Sequence, residues 1–227
     1  MNFLELVRDL YKESGESFSG GATATTADGT AVSYDALVAG WINEAWLRIQ
    51  REHFNWRWKW VEFDLTLNTA DRDYSLPTPT AARSAVQHID WSSGLTLARS
   101  GETAYSEVRH LLHKKFPRRY KNNPTGKPQF CDILPNGKLR LDRVPDEAYI
   151  LSGEGYLAPW AMTANADEPD MPDRFHKLIV WEALMDHARW EASPEQLQIG
   201  MLERDNLWRQ LREDQLPTRS VVWRPLA

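Results

Sequence analysis

The sequence predicts an α+β fold in which N- and C-terminal helices pack as a bundle with a central antiparallel β-domain. Three observations carry that prediction. Apolar residues recur at helical spacing near both ends of the 227-residue chain. The middle alternates apolar and polar residues between Gly, Pro, Asn and Asp turn signals. Strands do not alternate with crossover helices, which argues against a parallel α/β sheet. The resulting division is an N-terminal helical pair with a long loop at 14–32 (residues 1–55), an antiparallel β-domain with a short helix at 104–116 (56–160), C-terminal helices (161–216) and a tail (217–227).

At the N-terminal end, Asn2 is placed to cap a helix, with Glu5 three residues on to complete a capping box. Phe3, Leu6, Val7, Leu10 and Tyr11 share one face, and Gly15 is the stop signal. Residues 14–32 are rich in Gly, Ser, Thr and Ala and read as a loop. Ser33 is positioned to cap a second helix, Tyr34–His53, whose stripe is Leu37, Val38, Trp41, Ile42, Ala45, Trp46 and Ile49. These two helices are expected to pack as a pair.

The period then changes to two. Trp56, Trp58 and Trp60 alternate with Arg57 and Lys59, and the phase slips at Trp60-Val61, the mark of a bulge or of the true strand start. Short strands follow at Tyr74–Leu76, Ala85–Trp91 and Leu95–Leu97. Residues 104–116 read as a helix with Tyr105, Val108, Leu111 and Leu112 inward. Gln129–Leu134, the segment around Leu139 and Leu141, and Ala148–Tyr156 read as a three-stranded meander, with Asn136-Gly137 as a tight turn.

After Pro172, the stretch Phe175–Trp190 is apolar on nearly every face, which suggests a helix covered on more than one side and gives a first hint of assembly. Ser193-Pro194 opens a last helix reaching about Gln215, and Pro217 stops it.

Composition narrows the function. Hydrophobic content of 42% and charged content of 26% are ordinary for a globular protein, and the net charge of −5 does not suggest a generic nucleic-acid binder. A lone Cys131 rules out an internal disulfide framework. Glu5, Arg8 and Asp9 interrupt the first apolar pattern, so it does not read as a signal peptide, and no run reaches membrane-spanning length.

No nucleophile elbow, phosphate-binding loop or dinucleotide fingerprint occurs. His110 and His113 lack nearby Cys or carboxylate partners for a metal, and Asp173 with His176 is ordinary helix-start chemistry. No catalytic residue, metal ligand or cofactor site is therefore assigned.

The unusual residues are of two kinds. Arg109, Lys114, Lys115, Arg118, Arg119, Lys121 and Lys127 form a basic segment with no acid from Val108 through Cys131. It fits either a phosphate backbone or a solvated loop on an acidic surface. The eleven tryptophans are the other anomaly. Trp41, Trp46, Trp56, Trp58 and Trp60 read as core where the helical pair meets the sheet, whereas Trp181, Trp190 and Trp223 read as interface.

The succession GKPQF, LPNGKLRLDRVPDEAYILSGEGYLAPW and DEPDMPDRFHKLIVWEAL resembles the head-to-tail adaptor (connector) proteins of tailed bacteriophages, particularly the larger portal adaptors of short-tailed phages. FLELVRDLYKESG and AGWINEAWLRIQREHFNWRWKW are similar to that family's opening helices and first strand, so the resemblance spans nearly the whole chain.

The resemblance implies a structural virion protein at the head–tail junction, assembled in the host bacterial cytoplasm. It implies a ring, usually of twelve copies, that docks on the portal, meets a tail or nozzle protein and continues the channel for packaged DNA. No membrane is involved. The subunit interface is expected at Phe175, Val180, Trp181 and Trp190, and portal binding at Val221, Val222, Trp223 and Leu226. Lys114, Lys115, Arg118, Arg119 and Lys121 are expected near the DNA channel or an acidic partner. Two other classes stay open: a tail-associated glycan hydrolase, and a DNA-binding protein using residues 109–127.

Overall fold

The computed structural model describes residues 1–16, 34–80, 82–99, 101–102, 104–115 and 124–216. The chain divides into two compact units, Met1–Trp58 with Pro159–Ala227, and Lys59–Ala158. Ser33, assigned above as a cap, lies outside the described residues.

The first unit contains α1 (Phe3–Ser14), α2 (Tyr34–Glu52), α3 (His176–Trp190) and α4 (Pro194–Gln215). The Asn2–Glu5 capping box is present in both directions, and Gly15 ends α1 in the left-handed region at φ 77°. A 3-10 turn, Asp173–Phe175, leads into α3.

α3 explains its own composition. α1, α2 and α4 all pack against it, whereas α1 and α2 touch each other only slightly. Leu178, Ile179, Val180, Ala183, Leu184 and Ala188 are all buried in that setting. The all-round apolar character is thus met by the chain's own helices, and the expected α1–α2 pair is replaced by two helices that each rest chiefly on α3.

The connection at 159–171 completes this core. The Gln50 side chain donates to the Trp160 carbonyl at 2.9 Å and accepts from the Trp160 N–H at 3.1 Å, and Asn43 does the same with Met162 at 2.9 Å each way. Two amides of α2 therefore supply the hydrogen bonds that an irregular buried segment would otherwise lack.

The second unit is an eight-stranded sheet: β1 (Trp60–Leu67), β2 (Asp73–Tyr74), β3 (Val86–Ile89), β4 (Leu95–Arg99), β5 (Tyr105–His110), β6 (Phe130–Ile133), β7 (Leu139–Leu141) and β8 (Tyr149–Leu157). The order is β1-β8-β4-β5-β6-β7-β2, with β3 also paired to β8. Its core is Phe63, Leu67, Leu95, Leu97, Val108, Cys131, Leu139, Leu141 and Leu151 with their neighbours.

The fold expectation is corrected on three points, and only α+β in the loose sense stands. The helices do not form a terminal bundle with an antiparallel domain; they cluster on α3. The sheet is mixed, because β5 and β6 run parallel through Arg109↔Phe130 and His110↔Cys131. Residues 111–129 are long enough to return the chain to the same end, as a parallel pair requires. The third point is the meander: β7 pairs with β6 and β2, while β8 lies across the sheet beside β1, β4 and β3.

The helix expected at 104–116 is corrected too: Tyr105–His110 form β5 and His113–Lys115 a 3-10 turn, and Phe116 lies outside the described residues. The phase slip at Trp60-Val61 is a strand start, where a 3-10 turn, Arg57–Lys59, gives way to β1.

β8 changes neighbours along its length, from β4 at Tyr149–Ser152 to β3 at Gly155–Leu157. Glycines permit the change. A Cβ at Gly155 would sit 2.6 Å from the His88 carbonyl oxygen and 2.8 Å from Val86 Cγ1. Only a residue without a side chain lets β3 approach so closely. Among the described residues no helix is long and apolar enough to cross a membrane.

Candidate functional site

The exposed aromatic corner of the helical unit lies where α3 turns into α4. Ala192 takes φ 52°, an uncommon left-handed position for a side-chain-bearing residue. The Ser193 N–H bonds the Ala188 carbonyl at 2.9 Å, and the Glu191 N–H bonds that of His187 at 2.9 Å. This tight corner holds Trp190 63% exposed.

Behind Trp190 runs a graded series of rings. Trp190 lies 6.3 Å from Trp41, Trp41 meets Tyr34 edge-on at 6.3 Å, and Tyr34 meets Tyr11 at 6.2 Å. Buried His187 stands edge-on to Trp41 at 5.5 Å, and its Nε2 is 3.0 Å from the Tyr34 hydroxyl and 3.3 Å from Glu16 Oε1. Burial pushes the Tyr34 phenol far up, and the Glu16 and Glu191 charges push the same way. Burial and the hydrogen bond to Asp35 do likewise for Tyr11. The corner is therefore aromatic, acidic and backed by fixed rings.

The four expected interface residues separate. Phe175 and Val180 are buried in the helical core, Trp181 is half-buried with Lys177 Nζ 5.2 Å from its ring centre, and Trp190 projects. α4 adds exposed Ile199, Met201 and Leu202.

Beneath α4, Glu182 is nearly buried and receives Arg48 from α2 at 3.0 Å and Arg204 from α4 at 2.7 Å. Gly200 lets α4 sit close to the Trp181 carbonyl and Met185. The Arg48 and Arg204 guanidiniums are held above their usual range: burial opposes this, but the Glu182 bonds and those to Asp186 and Asp205 outweigh it.

Within the basic segment, Lys114 and Lys115 are exposed beside Leu112, which is 52% exposed. Arg109 pairs with Glu107 at 3.2 Å. His110 Nε2 lies 3.0 Å from Asp132 Oδ1, and the His110 ring stacks on Trp91 at 4.3 Å. Arg118, Arg119 and Lys121 lie outside the described residues, as do Val221, Val222, Trp223 and Leu226 of the tail.

Sequence reasoning missed one feature. An open cleft of about 610 Å³ on the sheet unit is floored by Glu62, Asp64, Thr96, Ser152 and Glu154 and flanked by Pro77–Thr80 and Ser93-Gly94. The β1–β8 register sets Glu62 directly opposite Glu154 and Asp64 opposite Ser152, whose hydroxyl donates to Asp64 at 2.5 Å. Trp60 Nε1 donates to Glu154 at 3.3 Å. Alternation alone places each carboxylate on an outward face, but only the strand pairing brings them together.

Among the described residues no group of three or more His, Cys, Asp or Glu is placed to hold a metal ion. Cys131 is buried, and burial with the neighbouring Asp132 and Asp142 charges pushes its thiol up to about 12. It is a core residue and not a nucleophile.

No curated protein matches the chain. The family model described as SU10 adaptor protein matches residues 1–224, covering the helical unit, the whole sheet unit and most of the tail. That match agrees with the phage-adaptor resemblance carried by the residues around 124–190 and by the opening helices. The chain therefore belongs to the SU10 adaptor protein family, a family of phage structural adaptors.

Proposed function

We propose that this protein is the head-to-tail adaptor of a tailed-phage virion, copies of which form a ring that joins the portal to the tail and continues the DNA channel. The observation that carries the reading is the family match over residues 1–224, which takes in both units. Trp190, Trp181, Ile199 and Leu202 offer apolar surface for neighbouring subunits, a use for which exposed aromatics are enriched. Val221, Val222, Trp223 and Leu226 engage the portal, and Lys114, Lys115, Arg118, Arg119 and Lys121 face the DNA path or an acidic partner. The protein acts by assembly and not by catalysis, and its place is the head–tail junction of the virion.

The test is binding of the full chain and of a variant lacking 217–227 to isolated portal rings, read by sedimentation. The full chain is expected to bind and the truncated chain to lose binding with an unchanged melting temperature. A truncated chain that melts lower and still binds would place the tail on its own fold.

The cleft with Glu62 and Glu154 keeps a hydrolase reading in view, since facing carboxylates are what glycoside hydrolysis uses. Cell-wall clearing by the purified chain that disappears in Glu62→Gln and Glu154→Gln would establish it.

A further inference from the structure

Two exposed patches on this chain are complementary in both shape-independent respects, charge and apolar content. The first is the α3–α4 corner. Trp190 is 63% exposed and lies 6.3 Å from Trp41, exposed Glu191 follows it in the chain, and Glu16 Oε1 lies 3.3 Å from His187 Nε2 behind Trp41. Arg189, the nearest cation in sequence, is engaged by Asp186 at 2.7 Å. The second patch follows β5, where Leu112 is 52% exposed and Lys114 and Lys115 are exposed in the 3-10 turn. An apolar side chain next to two ammonium groups matches a Trp face with one carboxylate next to it in the chain and a second on the neighbouring His187: the ring accepts a cation on its face while the carboxylates supply the opposite charge.

We propose that the Trp190–Glu191 corner of one copy, with Glu16, receives the Leu112–Lys114–Lys115 ridge of a second copy. The inference rests on the ring reading above and names the contact that reading leaves open. Each chain carries one patch of each kind, the first on the helical unit and the second on the sheet unit, so the contact pairs unlike patches and is head-to-tail. Heterologous contacts of this type close into rings when the rotation between copies allows it, whereas a two-fold contact stops at a dimer. The basic ridge is thereby assigned to a neighbouring protein surface and not to DNA.

Single cysteines test it, because native Cys131 is buried and unreactive. Full-length Leu112→Cys and Glu191→Cys chains are mixed and treated with a short bismaleimide. The expected result is a covalent dimer from the mixture and little from either variant alone. A chain carrying both changes should give a ladder of multimers. Lys114→Glu with Lys115→Glu should weaken association several-fold at low salt, and Glu16→Lys with Glu191→Lys in the partner copy should restore it.

Assembly seen by light scattering without the cross-link would overturn this contact while leaving the ring reading intact. Absence of any assembly, free or on portal rings, would overturn both. Lysine reversals that leave association unchanged but weaken duplex DNA binding would return the ridge to DNA and refute the proposal.

Discussion

The helical unit and the sheet unit solve the same burial problem by opposite means. The helical unit collects its core around one element, α3, and fills it with large aromatic rings; Trp46 and Trp56 are fully buried there, and Trp160 and Trp208 nearly so. Among its described residues the sheet unit has no buried tryptophan, and it is organised by pairing, with β8 shared among β1, β4 and β3. In the first, volume decides which residues fit. In the second, close backbone approach decides, and glycines matter more than large side chains.

The sharpest break of that contrast is Trp56→Ala. Trp56 stacks on Trp58 at 4.5 Å, meets Trp208 edge-on at 6.0 Å and donates its Nε1–H to the Ile49 carbonyl at 2.9 Å. Truncation leaves a large cavity and an unmatched carbonyl, for a loss of about 3–5 kcal/mol in urea unfolding. A loss below about 1 kcal/mol would mean that the aromatic cluster is not what holds this unit.

Gly155→Ala is the sheet counterpart, and its expected effect is smaller. The added Cβ meets a backbone oxygen and Val86, so β3 has to move away from β8. Overpacking of this kind costs about 1–3 kcal/mol. Amide exchange should show the loosening confined to β3 and the adjoining half of β8. Gly153→Ala meets the Leu95 side-chain tip at 2.2 Å, and a flexible side chain yields more readily than a strand. A Gly153 variant worse than the Gly155 variant would contradict the argument.

The same contrast explains what could be read in advance. Helix ends are written locally: Asn2 and Glu5 for α1, Gly15 at its close, Pro194 at the first position of α4. Their positions followed from the residues themselves. The all-round apolarity of α3 is equally visible, but the sequence does not say that α1, α2 and α4 are what bury Leu178, Ile179, Ala183 and Leu184.

Strand existence was legible from alternation, while strand partners were not, because nothing within β7 or β8 records that they lie apart. Residues 104–116 were misread because Tyr105, Val108, Leu111 and Leu112 fit a helical face. Only Val108 is buried within β5. The Glu62–Glu154 pair was invisible for the same reason, since 92 positions of sequence and one register separate seeing it from missing it. At the corner, Trp190 was named from the sequence, but its setting among Trp41, Tyr34 and Glu16 depended on how α2 and α3 pack.

The smallest expected effect lies in the pH dependence, which separates the buried histidines of both units from a paired carboxylate of the sheet unit. In the helical unit, burial holds the His176 imidazole below its ordinary value despite the bond from Nε2 to the Met171 carbonyl at 2.8 Å. Burial, with the Arg212 charge, does the same to His53. Between the ordinary imidazole value and these lowered values, the unfolded chain binds protons that the folded chain does not, so stability falls as pH falls through that window. His88 brings the same sign to the sheet unit.

Asp73 of the sheet unit titrates in a lower window. Arg140, bonded to both Asp73 oxygens, holds that carboxyl below its ordinary value. The stabilisation is complete above the unfolded carboxylate value and is lost only as pH falls through the depressed folded one. Wild-type unfolding in urea is therefore expected to weaken from pH 7 to pH 5 through the histidines and again below pH 4 through Asp73. His176→Gln should flatten the first decline and leave the second, while Asp73→Asn should do the reverse. A His176→Gln chain that keeps the full decline between pH 7 and pH 5 would remove His176 from the account and leave His53 and His88 to carry it.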